Sequence, residues 1–331
     1  MSNAPFQRPE DNRPGVVLSV KNLTRTFKLA KGRTFQAVSD VSFDIAEGET
    51  LGLVGESGCG KTTVGRAIIQ LPPPTSGQVL LKGRDLCMLR GEELRRRRTS
   101  IQMVFQDPIS SLNPRRNIGD IVEAPLAVAG VGTTRQRRKM AEEMLDAVGL
   151  DPLGVWGRRP HELSGGQCQR VSIARALMPK PEVLVCDEPV SSLDVSVQAQ
   201  ILNVLQDAKE RFGVILLFIA HDLAVVKNIS DRVAVMYLGR LCELASSDRL
   251  YEQPAHPYTR ALLAAVPDVR PQPKMHIKPV LQGEVPSPLA PPSGCRFRTR
   301  CPLATERCAS EVPQMQRIRD DHIVACHHPL Q

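Results

Sequence analysis

The sequence is poor in aromatic residues and contains no long apolar run. Only 4% of its 331 residues are Phe, Trp or Tyr, which disfavours a surface that binds bases or sugars by stacking on many rings. The longest apolar run, 214–220, has the length of a strand, whereas a membrane helix needs about 20 residues. Residues 1–9 have no apolar core, so the sequence predicts no secretory signal there. These features predict a protein of the cytosol.

The nine cysteines show no C-x-x-C spacing. In the cytosol they are expected to be free thiols or metal ligands rather than disulfides. The net charge of +8 suits nucleic acid, an anionic membrane surface or a nucleotide as the binding partner. The length predicts two domains, one of them large, and a hydrophobic fraction of 42% can build a sizeable core.

The most specific motif is a phosphate loop of the form G-x-x-x-x-G-K-(S/T), preceded by an apolar strand at 49–54 and followed by a helix. Its residues are Gly55, Glu56, Ser57, Gly58, Cys59, Gly60, Lys61 and Thr62, and Thr63 begins the helix. Backbone N–H groups of such a loop, together with the helix dipole, bind phosphate. Lys61 is predicted to reach the β- and γ-phosphates, and the Thr62 hydroxyl is predicted to ligate Mg²⁺.

Polar residues follow three other apolar runs that are predicted to be strands. Asp187 and Glu188 end the run that begins at Val183, Gln106 follows 101–105, and His221 follows 214–220. Asp187 can hold Mg²⁺ through water, and Glu188 can orient and deprotonate the water that attacks a γ-phosphate. Gln106 can reach a metal or a water, and His221 can contact the γ-phosphate. Taken singly, a histidine after a strand is usually an ordinary loop residue.

Two further features fit a nucleotide site. Ser164, Gly165, Gly166 and Gln167 head a predicted helix and offer a second anion-binding N-terminus, although the same residues also make a plain helix start. Phe27 lies between predicted strands at 16–20 and 35–45. It is either a platform for a base or a core phenylalanine.

In this order, the motifs resemble the ATP-binding subunit of an ABC transporter. The matching positions are the phosphate loop, Gln106 (Q-loop), 163–167 (signature), Asp187 and Glu188 (Walker B and base), 192–194 (D-loop) and His221 (switch). The resemblance implies an α/β protein with a RecA-like P-loop core, an antiparallel β subdomain and a helical subdomain near 108–165. It also implies head-to-tail dimers, in which Ser164 to Gln167 of one subunit cap ATP held by the other. Asp194 joins the predicted nucleotide site as part of the D-loop.

Three segments are similar to the dipeptide/oligopeptide importer ATPases: 105–108, 111–115 and 193–200. The run 113–115 resembles the F-type subunit of those systems, whereas Ser192 stands where alanine is common. This resemblance implies a paralogous ATPase as heterodimer partner, two transmembrane permeases and an extracytoplasmic peptide-binding protein. The chain would then lie on the cytoplasmic face of the membrane as a peripheral subunit, with no nucleic acid partner.

The C-terminal part is proline-rich after residue 263 and then contains four cysteines, Cys295, Cys301, Cys308 and Cys326. Clustered thiols in a short cytosolic segment favour a metal or cluster site. The wide spacings and a resemblance to the importer family's tail imply an iron–sulfur cluster of the 4Fe–4S type, with zinc and free thiols as alternatives. The expected organisation is a disordered tail at 1–15, a nucleotide-binding domain at 16–255 and an extension at 256–331.

Two other functions remain open. The first is a soluble ABC ATPase that acts on nucleic acid or ribosomes, which would explain the positive charge. Such proteins usually carry two cassettes, and this sequence contains one set of motifs. The second is a redox-sensing regulator built on the cysteine-rich tail, for which the complete ATPase set would be superfluous.

Overall fold

The computed structural model describes residues 15–29, 32–191, 193–265 and 283–330. The strands within these ranges are β1 (Val16–Lys28), β2 (Thr34–Ala46), β3 (Thr50–Val54), β4 (Ser76–Leu81), β5 (Arg84–Asp85), β6 (Ile101–Val104), β7 (Val183–Asp187), β8 (Ile215–Ala220), β9 (Arg232–Tyr237), β10 (Arg240–Ser246), β11 (Gln316–Arg319) and β12 (His322–Val324). The predicted disordered tail and Ser192 of the D-loop lie outside the described residues, apart from Gly15.

The helices are α1 (Lys61–Ile68), α2 (Gly91–Arg97), α3 (Pro108–Ser111), α4 (Ile118–Val128), α5 (Thr134–Ala147), α6 (Pro152–Val155), α7 (Gly165–Leu177), α8 (Val195–Phe212), α9 (Leu223–Ile229), α10 (Ser247–Glu252), α11 (Pro257–Ala265) and α12 (Glu306–Ser310). Helix α5 begins with a capping box, because Thr133 and Gln136 each bond the other's backbone N–H. Among the described residues, none of these helices combines the length and apolarity that spanning a membrane requires.

The larger sheet has the order β11-β12-β10-β9-β3-β8-β7-β6, and the strands from β9 to β6 run parallel. Strands β3, β7 and β8 are buried at every residue, as expected for a parallel sheet covered on both faces. Alternate residues of β7 face different cores: Leu184 and Cys186 pack on the side of α7 and α8, and Val183 and Val185 on the side of α1.

The smaller sheet has the order β2-β1-β4-β5 and is antiparallel. It packs with α1 against one face of the larger sheet, and Leu18, Val41 and Ile68 lie fully buried in their shared core. Strand β1 runs to Lys28. Phe27, which is predicted to lie between two strands, therefore lies within β1 itself.

Helices α3 to α7 form a separate helical region between β6 and β7 in the chain. Helix α7 contacts α3, α4 and α5, and its buried face includes Cys168, Val171 and Ile173. Helices are therefore present in this part of the chain, as expected for the helical subdomain.

The C-terminal segment, residues 283–330, adds β11 and β12 to the edge of the larger sheet. Strand β12 pairs antiparallel with β10, and Glu243 aligns with Val324. At this junction the buried Glu243 carboxylate accepts hydrogen bonds from His322 Nε2 (2.7 Å) and from the Ala255 and His256 backbone N–H groups. These contacts attach the C-terminal segment to the cassette through buried polar bonds.

Candidate active site

One cavity of about 510 Å³ collects most of the residues predicted to bind a nucleotide. Its predicted lining residues are Phe27, Ser57, Gly58, Gly60, Lys61, Thr62, Thr63, Gln106, Glu188 and His221. They come together because β3, β6, β7 and β8 are parallel neighbours, so the loops after their carboxyl ends share one edge of the sheet. A volume of this size fits a small-molecule ligand.

The phosphate loop connects β3 to α1. Gly60 caps the helix with φ of 105°, and no side chain of the described residues bonds there as a cap. A Cβ at Gly60 would lie 2.4 Å from the Ala37 carbonyl oxygen, so a glycine is required by space as well as by φ. The first N–H groups of α1 are left to bind an anion.

Lys61 and Thr62 begin α1. Lys61 is 4% exposed, and its ammonium donates to the carbonyls of Gly55 (2.7 Å) and Glu56 (3.1 Å). The Thr62 hydroxyl donates to Asp187 Oδ1 at 2.8 Å. Burial raises the pKa of Asp187, and the Thr62 hydrogen bond and the charge of Arg66 partly offset this effect. A hydroxyl and a carboxylate at this distance are suitable oxygen ligands for Mg²⁺.

Glu188 lies opposite the phosphate loop. Its backbone has a left-handed φ of 45°, and its N–H donates to the Ile219 carbonyl at 2.9 Å. Glu188 Oε2 accepts from Gln106 Nε2 at 3.0 Å and lies 3.3 Å from His221 Nδ1. Such a φ is costly for a residue with a side chain, and residues of this kind cluster at functional sites. The carboxylate is therefore fixed where it can orient a water in the cavity.

The other side of the cavity carries two aromatic rings that fit a base. Phe27 is half-buried and stacks on Phe35 with ring centroids 5.6 Å apart, and the Arg25 guanidinium lies 4.9 Å from the Phe27 ring centre. Phe27 is thus a wall of the cavity and a packing residue of the antiparallel sheet. The half-buried Phe27 ring, which lines the cavity, can contact an apolar, planar group.

The signature residues and Asp194 do not line this cavity. Ser164 caps α7, its hydroxyl accepts from Gln167 N–H at 3.3 Å, and Gln167 Oε1 accepts from Ser164 N–H at 3.0 Å. Asp194 caps α8 by accepting from Val197 N–H (3.0 Å) and the Ser196 hydroxyl (2.7 Å). These bonds lower the pKa of Asp194. Within one chain, therefore, the two groups of residues form helix starts that do not line the nucleotide cavity.

Several residues that line the nucleotide cavity were not predicted from the sequence. They are Phe35, Gln36, Ala37, Leu238, Gly239 and Pro288. Pro288 comes from the C-terminal segment, and the strand alternation around Phe35 predicts burial, not a ligand contact. Gly55, Glu56 and Cys59 of the loop lie outside the lining, and Cys59 is only 3% exposed. Burial is the largest influence on its thiol and raises its pKa.

The four C-terminal cysteines line one small cavity, of about 10 Å³, together with His327 and other residues. Burial raises the pKa of Cys326 to about 12, and the proximity of the other three thiols adds to this effect. The described residues contain no group of three or more His, Cys, Asp or Glu side chains arranged to hold a metal ion. The donor chemistry of four thiols fits a soft metal or cluster. The iron–sulfur cluster therefore stays a prediction.

Family models match two parts of the chain. Residues 38–191 match the model described as ABC transporter, and residues 242–308 match the oligopeptide/dipeptide transporter, C-terminal region. The first includes the phosphate loop, Gln106 and Glu188. The second includes Cys295, Cys301 and Cys308.

Curated relatives are similar over nearly the whole chain. A putative peptide import ATP-binding protein of Brucella ovis is 50% identical, with 94% of this chain and 97% of the relative covered. The oligopeptide transport ATP-binding protein AppF of Bacillus subtilis is 49% identical, with coverages of 94% and 97%. The di/tripeptide transport ATP-binding protein DppF of Pseudomonas aeruginosa is 47% identical, with coverages of 95% and 98%.

Among solved structures, the dimeric ATP-binding cassette MJ0796 bound to ADP and Pi is similar with a TM-score of 0.64 and 31% identity. It covers 70% of this chain and 98% of its own length. The cassette cbiO1 from Clostridium perfringens is similar with a TM-score of 0.63 and 27% identity, covering 72% and 91%. The two folded sheets and the helical region are thus those of an ABC ATPase cassette.

Proposed function

Because this chain belongs to the ATP-binding proteins of ABC transporters, in the oligopeptide/dipeptide import family, we propose that it binds and hydrolyses ATP to energise peptide import. The proposed ATPase activity rests on one observation, which is that Lys61, Gln106, Glu188 and His221 line the same cavity. The peptide substrate rests on the relatives, since the nucleotide cavity contains no information about cargo.

Each residue has a role that its contacts support. Lys61 leaves the carbonyls of the phosphate loop and binds the β- and γ-phosphates. Thr62, Asp187 and Gln106 would hold Mg²⁺, which would neutralise charge on those phosphates. Glu188 takes a proton from the attacking water, and His221 contacts the γ-phosphate. Phe27 contacts the base.

A second subunit completes the site in this proposal. The chain's own signature residues, Ser164 to Gln167, lie outside its cavity, so they are available to cap a nucleotide bound by a partner cassette. Asp194 would lie in the same dimer contact. We propose a paralogous ATPase as that partner, with two permeases and an extracytoplasmic peptide-binding protein, because the chain is similar to ATP-binding proteins of peptide import and transport. The chain would bind the permeases at the cytoplasmic face of the membrane.

The test is a detergent pull-down of the full chain from its native membrane, with ATPase measured before and after adding the peptide-loaded binding protein. We expect two permeases, a paralogous ATPase and stimulated hydrolysis. A Lys61→Ala chain is the matched control, and it should recover the same subunits with reduced hydrolysis. Peptide-independent hydrolysis by the chain alone would contradict peptide import. RNA or DNA retained at high salt would favour the nucleic-acid alternative.

We also propose that Cys295, Cys301, Cys308 and Cys326 ligate a 4Fe–4S cluster, supported by the convergence of their thiols on one cavity. The cluster would stabilise a segment with little core of its own. We expect anaerobically purified protein to contain iron and acid-labile sulfide in the amounts of one 4Fe–4S cluster per chain. Cys326→Ser should lose both. Cys87→Ser, which changes a thiol remote from this group, is the control. Zinc instead of iron, or protein without either, would overturn the cluster.

A further inference from the structure

The C-terminal segment contacts the phosphate loop directly through one ion pair. The Arg300 guanidinium donates to both carboxylate oxygens of Glu56, at 2.7 Å and 3.0 Å. The Arg300 side chain is 5% exposed and that of Glu56 is 23% exposed. Paired, parallel bonds of this kind fix geometry as well as charge, and burial protects them from screening by salt.

The same glutamate is held at its backbone. The Glu56 N–H donates to the Tyr258 hydroxyl at 2.9 Å, and its carbonyl accepts from Lys61 Nζ at 3.1 Å. The hydrogen-bonding groups of Glu56 are therefore engaged, and two of its partners, Tyr258 and Arg300, lie 202 and 244 positions later in the chain. This residue is the second of the phosphate loop, so its backbone orientation determines the path of the N–H groups that follow.

Arg300 is itself held firmly in place. Its backbone N–H donates to the Phe297 carbonyl at 3.0 Å, and Phe297 is 2% exposed. The Phe297 ring packs at 5.3 Å from both Tyr237 of β9 and Tyr258 of α11. The Arg300 guanidinium also lies 5.9 Å from the centre of the Tyr237 ring. The ion pair with Glu56 is thus anchored to the core of the cassette rather than to a free loop.

We propose that Arg300 is a positioning residue for ATP binding, which holds Glu56 so that the phosphate loop is shaped before the nucleotide arrives. Two physical effects follow from this placement. A preordered loop loses less conformational entropy when it binds phosphate. Arg300 also neutralises a carboxylate that would otherwise repel the triphosphate at close range.

The placement predicts a change in affinity without a change in chemistry. Arg300 does not line the nucleotide cavity, and its described bonds reach none of Gln106, Glu188 and His221. In the full chain, Arg300→Gln should raise KM for MgATP and Kd for a non-hydrolysable ATP analogue about tenfold, which corresponds to about 1.4 kcal/mol. The value of kcat at saturating ATP should stay within about twofold.

Arg298→Gln is the matched control. Arg298 donates to the carbonyl (2.9 Å) and the hydroxyl (3.2 Å) of Ser293, so these bonds stay within the C-terminal segment. We expect the control to bind the analogue as the unmodified chain does. Arg300→Lys keeps the charge without the paired bonds, and its Kd should lie between those of the unmodified chain and Arg300→Gln.

A double-mutant cycle with Glu56→Gln separates positioning from general damage. If the ion pair is the cause, adding Arg300→Gln to Glu56→Gln should not weaken analogue binding further, because the carboxylate that Arg300 neutralises is already gone. Three outcomes would each overturn the proposal. They are an equal loss of analogue affinity in Arg298→Gln, additive losses of affinity in the double-mutant cycle, and an unchanged Kd in Arg300→Gln.

Discussion

Replacing Glu188 with glutamine tests the assignment of the general base. The Glu188→Gln side chain would keep its shape and a carbonyl oxygen that can still accept from Gln106, at the 3.0 Å seen for the carboxylate. It would lose the ability to take a proton. The left-handed backbone of residue 188 is bonded to Ile219 through its N–H, and the substitution leaves that bond in place.

The expected loss of rate follows from removing the general base. A positioned general base contributes about 10²- to 10⁴-fold to a rate. At 1.36 kcal/mol per factor of ten, this corresponds to roughly 2.7 to 5.4 kcal/mol of activation free energy. Binding should be retained, because the described contacts of Glu188 do not include the phosphate loop and because removing a negative charge favours a polyanion.

The assay measures phosphate release at saturating MgATP and, separately, equilibrium binding of ATP. We expect kcat to fall by at least about 100-fold while Kd is unchanged or lower. Thr62→Ala is a useful comparison, since it removes the hydroxyl bonded to Asp187 and should impair binding of the Mg²⁺ complex. Hydrolysis by Glu188→Gln at the rate of the unmodified chain would refute the role of Glu188 as the base.

Two further predictions concern packing and reactivity. In Gly119→Ala a new Cβ would lie 2.2 Å from the Trp156 ring, so we expect the free energy of unfolding, measured in urea, to fall by about 1–3 kcal/mol. Gly157→Ala is the control and should leave this free energy unchanged, because nothing lies within 4 Å of a Cβ at that position. Equal effects of the two substitutions would contradict the clash. Because Cys59 is buried and Cys87 is half-buried, iodoacetamide at a pH of about 7.5 should modify Cys87 before Cys59 and leave Cys59 unmodified until the chain is unfolded. Rapid labelling of Cys59 in the folded chain, read by peptide mass spectrometry, would contradict this protection.

Part of the site could be predicted because its residues are neighbours in the chain. The phosphate loop depends on a local turn, a helix start and the spacing of Lys61 and Thr62, all of which are encoded within a few residues. The apolar runs ending at Asp187 and Ala220 are strands, because fully buried parallel strands are uniformly apolar. The helical subdomain near 108–165 is implied by the resemblance to ABC transporter subunits, and helices α3 to α6 lie there.

The sequence alone therefore determined the ABC cassette, its phosphate loop and the set of polar residues at its strand ends. Tertiary structure decided which distant residues meet. Arg300 reaches Glu56, 244 positions earlier in the chain, and four thiols share one cavity. Such contacts leave no local pattern, since they depend on how the sheets, α11 and the C-terminal segment pack together. Long-range packing thus places a C-terminal arginine at the phosphate loop, where local sequence predicts only a glutamate in a turn.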